Sequence, residues 1–210
     1  MDLHQVENEL KKRLIYPYVW GRKQSNQLDY QTNFIYNIFS FDSLIKEIET
    51  RFPKKQNYNE IFNYALNRWF NFWSAMALEH VFCLNNNVVP VKNTYDRLVD
   101  FSITGIKFDH KTTVFPRGFG QSLTFARSNP KLLALWLYEN QSQGQRKHLN
   151  NRLFVVLYSR NSQHWRLKAE ILWLKEKIDA YVHNFDQSNL IEMDFEGSEK
   201  VKTDIVWAVM

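Results

Sequence analysis

The chain has little cysteine, glycine or proline, and it lacks a long apolar run. With Cys83 as its single cysteine, it cannot form an internal disulfide or a cysteine-based zinc or iron–sulfur cluster. No apolar stretch approaches the roughly 18 residues that cross a bilayer. The charged N-terminal segment MDLHQVENELKKRL does not resemble a signal peptide. We therefore expect a soluble, cytoplasmic protein with no membrane partner.

Apolar and aromatic side chains are abundant. Hydrophobic residues make up 44% and aromatic residues 16% of the 210 residues, so a sizeable core can be buried. The formal net charge of +5 is compatible with a polyanionic partner such as nucleic acid, although it does not identify one.

Hydrophobic periodicity divides the chain into a helical first part and a mixed second part. Short helices are predicted at 2–14 and at 42–51, the second with Asp42 as its N-cap, so we expect a mainly helical N-terminal extension over 1–57. The later pattern predicts, in order, a helix (58–84), two strands (98–104 and 106–114), a helix (129–142), a strand (152–159), a helix (165–183) and a strand (204–209). This order indicates a mixed α/β core over 58–210, with the hairpin next to the 152–159 strand. Pro130 is expected at the first position of the 129–142 helix.

The two adjacent strands are predicted to form a β-hairpin. Polar and apolar residues alternate along 98–104 and 106–114, and Gly105 lies between the two segments. A two-residue turn at Thr104-Gly105 would pair Ile103 with Ile106. Polar residues then share one face of the hairpin.

That polar face carries two opposed carboxylates. In the predicted register Asp100 lies directly across from Asp109, with Cβ atoms about 4.5–5.5 Å apart. Two like charges at this spacing repel each other unless a cation lies between them. A divalent metal with oxygen ligands is the natural counter-ion, and Lys111 adds a third charged group to the same face. We accordingly expect the stability cost of Asp109→Asn to be small, with a gain for the metal-free protein if it relieves repulsion with Asp100.

These residues resemble the signature of a known nuclease superfamily. Asp100, followed after eight residues by Asp109-His110-Lys111, looks like the PD-(D/E)XK motif, although Val99 stands where the family's name has proline. The predicted helix–strand–strand–helix–strand order also matches that family's core. The resemblance covers roughly 58–209 and implies a restriction-endonuclease-like mixed sheet flanked by helices, with the helical N-terminal extension outside it.

The resemblance also implies roles for individual residues. Asp100 and Asp109 would bind one or two Mg²⁺ ions, or Mn²⁺ in their place, helped by the backbone carbonyl of His110. Lys111 would orient or help deprotonate the attacking water and stabilise the transition state. Glu79, on the helix before the hairpin, is the candidate for a further acidic ligand. The alternatives for Glu79 are a salt bridge or a carboxylate that points to solvent.

Other residues receive weaker assignments. The His110 side chain faces away from the carboxylates, so we expect it to be packed rather than catalytic. The Arg117–Gln121 segment is equally compatible with close approach to a phosphate backbone and with a plain flexible connection. The candidate nucleic-acid contacts are Arg117, Gln121, Arg127 and Lys131. Arg127 and Lys131 are expected at the start of the following helix, whose positive end favours anions. Arg146, Lys147 and Arg152 are interpreted as a solvated charge cluster.

The sequence thus favours a Mg²⁺-dependent endodeoxyribonuclease. One alternative is a catalytically silent protein of the same fold that binds nucleic acid or a partner protein. Another is an ordinary hairpin with a polar solvent face. Restriction, repair, and mobile-element or phage defence are all compatible with the expected chemistry. Double-strand cleavage with one site per chain would call for a homodimer.

Overall fold

The computed structural model describes residues 1–20, 26–52, 57–91, 99–140, 149–195 and 200–210. Over these residues the chain is mixed α/β, with several helices and a six-stranded sheet. It forms two compact units, Met1–Leu78 with Trp165–Leu172 and Glu79–His164 with Trp173–Met210. Among the described residues, no helix is both long enough and apolar enough to cross a membrane.

The first unit is helical. Its helices are α1 (Leu3–Lys12), α2 (Asn26–Gln31), α3 (Phe41–Arg51) and the larger part of α4 (Tyr58–Cys83). Helix α3 begins one residue earlier than predicted, and Ser40 replaces Asp42 as its N-cap, because the Ser40 side chain accepts a hydrogen bond from the Ser43 amide. Trp69 of α4 is fully buried and packs edge-on against Phe41, with ring centroids 5.4 Å apart.

The second unit contains the sheet. Its strands are β1 (Val88–Pro90), β2 (Phe101–Ile103), β3 (Ile106–Val114), β4 (Arg152–Tyr158), β5 (Ile191–Met193) and β6 (Val201–Val209). The strand order is β1-β2-β3-β4-β6-β5, and β3/β4 and β4/β6 are parallel while the other neighbours are antiparallel. Strands β1 and β5 were not predicted, because three residues are too few to display a period.

The predicted hairpin between β2 and β3 is confirmed. Ile103 pairs with Ile106 across the two-residue turn. Thr104 and Gly105 both have positive φ angles, 47° and 89°, as this tight hairpin turn requires. On its other side, β3 runs parallel to β4, so the predicted neighbour of the hairpin is also correct.

Helices cover both faces of this sheet. Helix α5 (Leu123–Ser128) was not predicted, and it precedes α6 (Pro130–Glu139), which starts with proline in its first turn as expected. On the α6 face, Leu133 and Leu137 belong to one buried cluster with Phe154 and other strand residues. On the other face, the ring of Phe82 stacks on Phe101 at 4.7 Å. The predicted 165–183 helix is a 3₁₀ segment (His164–Ala169) followed by α7 (Ile171–His183).

Candidate active site

Asp100 lies just before β2, where the hairpin ladder ends. The last regular pair is Phe101 with Phe108, one pair short of the predicted opposition of Asp100 and Asp109. The Asp100 amide instead donates to the Phe108 carbonyl at 2.9 Å. The Asp100 carboxylate accepts a hydrogen bond from the His110 amide, with a distance of 2.7 Å from the nitrogen to Oδ2. Asp100 is therefore fixed to β3 by its side chain rather than by ladder pairing.

Asp109 is buried between two cations. It is only 5% exposed, and the parallel register places it beside Arg152 of β4. Its Oδ1 lies 2.6 Å from Lys111 Nζ, and its Oδ2 lies 3.0 Å from Arg152 Nε. The two cations differ in exposure: the Lys111 side chain is 48% exposed and that of Arg152 is 3% exposed. The interpretation of Arg152 as a solvated charge is therefore wrong, while Arg146 and Lys147 lie outside the described residues.

Glu79 shares an electrostatic environment with the hairpin carboxylates. It is half-buried, and burial raises the pKa of its carboxyl, with a further increase from the negative charge of Asp100 and a partial offset from Lys111. Burial also raises the pKa of Asp100, which the His110 hydrogen bond lowers and the Asp109 charge raises again. The predicted cluster of Glu79, Asp100, Asp109 and Lys111 is therefore electrostatically coupled.

His110 contributes its backbone rather than its ring. The ring is buried against Phe82 and Phe101, and its Nε2 lies 2.8 Å from Thr112 Oγ1. Burial and the charge of Lys111 lower the pKa of His110 to about 3, so the ring is neutral at physiological pH. Because a residue's N–H and C=O point to the same side of a strand, the His110 carbonyl lies on the edge of β3 that faces Asp100.

Cys83 is a neighbour of this site that sequence reasoning overlooked. Burial, Glu79 and Asp100 together raise the pKa of its thiol to about 11. The i, i+4 spacing of Glu79 and Cys83 on one helix was the available signal. The pKa of this thiol therefore depends on the negative charges of Glu79 and Asp100.

The donor types in this cluster suit a hard divalent cation. Carboxylate oxygens are the preferred ligands of Mg²⁺, and the raised pKa values of Glu79 and Asp100 mark a region that would be stabilised by positive charge. As arranged in the described residues, however, no three His, Cys, Asp or Glu side chains form a group that could hold a metal ion. A cation at Asp109 Oδ1 would compete with Lys111, which lies 2.6 Å from that oxygen.

The candidate nucleic-acid contacts lie after the end of β3. Arg117, Gln121, Arg127 and Lys131 are all exposed. The loop that carries Arg117 is packed: the Phe119 ring lies edge-on to Phe115 and Trp136. A Cβ at Gly118 would lie 2.9 Å from the Trp136 ring, so glycine permits this packing. Arg127 lies in the last turn of α5 rather than at the start of the next helix.

Comparison with known proteins adds no assignment. No family model matches the chain, and no curated protein and no solved structure shows significant similarity to it.

Proposed function

We propose that the chain is a metal-dependent nuclease of the PD-(D/E)XK type that hydrolyses phosphodiester bonds in DNA. The observation that carries the proposal is that Asp109 pairs with Lys111 at 2.6 Å while the Asp100 carboxylate accepts a hydrogen bond from the amide of His110, the residue between them. The order of α4, the hairpin, α6 and β4 agrees with the core order of that superfamily. A restriction-endonuclease-like fold for the second unit is part of the proposal.

The residues of the cluster have distinct roles in this proposal. Asp100, Asp109 and Glu79, with the His110 carbonyl, would hold one or two Mg²⁺ ions. Bound Mg²⁺ supplies a water activated at neutral pH and neutralises developing negative charge. Lys111, half-exposed and 2.6 Å from Asp109, would orient the attacking water and stabilise the charge on the phosphoryl oxygens.

Nucleic acid would lie along the surface that follows β3. Arg117, Arg127 and Lys131 carry positive charge on exposed positions, and Gln121 adds a neutral hydrogen-bonding group. Phosphate contacts of this kind position a duplex without reading its sequence. The chain's net charge of +5 favours the same partner.

A second candidate is a catalytically silent protein of the same fold that binds nucleic acid or a partner protein. The observation that favours it is the state of Asp109, whose two carboxylate oxygens each form an ion pair with a cation. If both pairs persist, the two cations compete with a metal for both oxygens of Asp109, and the cluster stabilises the hairpin instead.

Incubation with supercoiled plasmid distinguishes the two candidates. We expect nicking or linearisation with Mg²⁺ or Mn²⁺ and none with EDTA, whereas the silent protein would only retard the plasmid on a gel. The paired variants are Lys111→Ala and Lys107→Ala, because Lys107 is an exposed lysine of the same strand. Activity lost in the first variant and retained in the second supports the nuclease; activity retained in both refutes it at this site. A labelled RNA duplex in parallel tests the preference for DNA.

A further inference from the structure

Asp109 and Arg152 form a buried ion pair inside the sheet. The two residues are direct neighbours in the parallel register of β3 and β4. Arg152 Nε donates to Asp109 Oδ2 at 3.0 Å, and the exposed fractions of the two residues are 3% and 5%. Parallel pairing fixes both Cα positions, so the contact is set by the sheet itself and not by a flexible loop.

Arg152 is also held from its other sides. Its guanidinium carbon lies 5.5 Å from the centroid of the Tyr138 ring on α6. Tyr138 is anchored in turn, because its hydroxyl donates to the Asn150 carbonyl at 2.7 Å. Thr203 of β6 donates to the Arg152 carbonyl at 2.8 Å. These contacts leave the guanidinium little freedom, and its burial keeps it from reaching a substrate.

We propose that Arg152 is a positioning residue that holds Asp109 Oδ2, so that Asp109 presents only Oδ1 to Lys111 or to a metal ion. The proposal rests on the proposed function. It divides the two cations by role: Arg152 is the fixed partner of Asp109, and Lys111 is the exchangeable one. A carboxylate held in this way binds a cation through one oxygen, in an orientation set before the cation arrives.

A purely structural role for the pair explains the arrangement less well. Burying two charges costs a desolvation free energy that their attraction often fails to exceed, so a buried ion pair is a weak source of stability. Such a pair does fix orientation, because the hydrogen bond sets the plane of the carboxylate. Orientation matters at Asp109 because its other oxygen, Oδ1, lies beside Lys111.

The first measurement uses the wild-type protein without metal. A hydrogen bond to a buried carboxylate should protect the Arg152 Nε–H from exchange with solvent. We therefore expect a slowly exchanging Nε–H resonance in ¹⁵N NMR spectra that persists when Mg²⁺ is added. Fast exchange without metal, or loss of the resonance on adding Mg²⁺, overturns the proposal even if no variant folds.

The second measurement compares Mn²⁺ affinity among variants by calorimetry. Arg152→Lys retains the charge and loses the guanidinium geometry, so we expect 10- to 100-fold weaker Mn²⁺ binding, the usual effect of losing an outer-shell partner. Tyr181→Phe is the matched control, because it removes a tyrosine hydroxyl that donates to Asp204 at 2.9 Å and touches neither Arg152 nor Asp109. We expect its Mn²⁺ affinity to stay within about 2-fold of wild type, even if its thermal stability falls as much as that of Arg152→Lys.

The outcomes separate this inference from the proposed function. Wild-type protein that cleaves DNA and binds Mn²⁺, with Arg152→Lys binding equally well, overturns the inference alone. Equal weakening by Arg152→Lys and Tyr181→Phe also overturns it, because the effect is then structural. Wild-type protein that neither cleaves nor binds Mn²⁺ ends the proposed function and, with it, any role of Arg152 toward a metal.

Discussion

The amide of His110 donates a hydrogen bond to the carboxylate of Asp100 across the end of the β2–β3 hairpin, at 2.7 Å. This bond brings Asp100 to β3 at the point where ladder pairing has stopped. It also fixes one oxygen of Asp100, just as Arg152 fixes one oxygen of Asp109. Each carboxylate is thus oriented by a donor on a strand of the sheet.

We expect Lys111→Ala to reduce Mg²⁺-dependent cleavage by about 10²–10³, because a group that stabilises developing charge is usually worth that much. Its unfolding free energy should change by less than about 1 kcal/mol, because the Lys111 end of the ion pair is half-exposed and Arg152 still neutralises Asp109. Single-turnover cleavage and urea unfolding measure the two effects. A variant that cleaves as fast as wild type, with contaminating nuclease excluded, would refute the assignment of Lys111.

Asp109→Asn should destabilise the metal-free protein. The sequence alone favours a small cost or a gain from relieved repulsion with Asp100, but Arg152 would lose its counter-ion while remaining buried. Removal of one partner of a buried pair costs about 3 kcal/mol or more. Denaturant unfolding of Asp109→Asn against Asp109→Asn/Arg152→Met measures the effect. The double variant should recover part of the loss, and a neutral or stabilising single variant would contradict the buried pair.

Acid should destabilise the protein partly through His110. Its folded-state pKa of about 3 lies below its ordinary value of 6.5. Between these values the unfolded chain takes up a proton that the folded chain does not, so stability falls as pH falls, by up to about 1.4 kcal/mol per pH unit. Unfolding free energies from pH 7 to pH 4 test this, with His110→Phe as the comparison. The raised pKa values of Glu79 and Asp100 favour the folded state as pH falls. Wild type and His110→Phe share this contribution, so the difference between their pH profiles reports on His110. Parallel pH profiles would contradict a buried neutral His110.

The Cys83 thiol should react slowly at neutral pH and faster up to about pH 11, where its raised pKa lies. Glu79→Gln removes one source of the increase and should accelerate the reaction. Mg²⁺ should do the same if it binds near Glu79 and Asp100, because positive charge favours the thiolate. Reaction with a disulfide reagent at several pH values measures all three effects. Mg²⁺ that leaves the rate of the wild-type protein unchanged at saturating concentration argues against a metal at these carboxylates.

Arg127→Ala combined with Lys131→Ala should weaken DNA binding without changing sequence preference. The slope of log affinity against log salt is negative, and each lost phosphate contact makes it less steep by about 0.9. The slope of the double variant should therefore be less steep than that of wild type by about 2. Affinity is measured between 50 and 200 mM salt, roughly the range over which counterion release dominates. The control is Lys46→Ala, an exposed lysine of α3. An unchanged slope would remove Arg127 and Lys131 from the binding surface.

The hairpin could be predicted because its information is local. Gly105 and the alternation on both sides determine a two-residue turn, and the turn determines the pairing of Ile103 with Ile106. Arg152 could not be assigned in the same way. Its contact with Asp109 depends on the register of two parallel strands joined through α5 and α6, and neither strand encodes that register locally. Its neighbours Arg146 and Lys147 in the sequence made a solvated cluster the simpler interpretation.

The short pairing of β2 with β3 also bears on the tendency of this protein to aggregate. Strand β3 pairs with β2 only over its first three residues, and from Asp109 to Val114 the described residues pair it only with β4. An unpaired edge invites a strand from a second molecule to add, which leads to aggregation. Here Asp100 already occupies the His110 amide, and Lys111 puts a charge on the same edge. The proposed catalytic groups therefore protect the edge as well, and Lys111→Ala should be checked by light scattering as well as by cleavage.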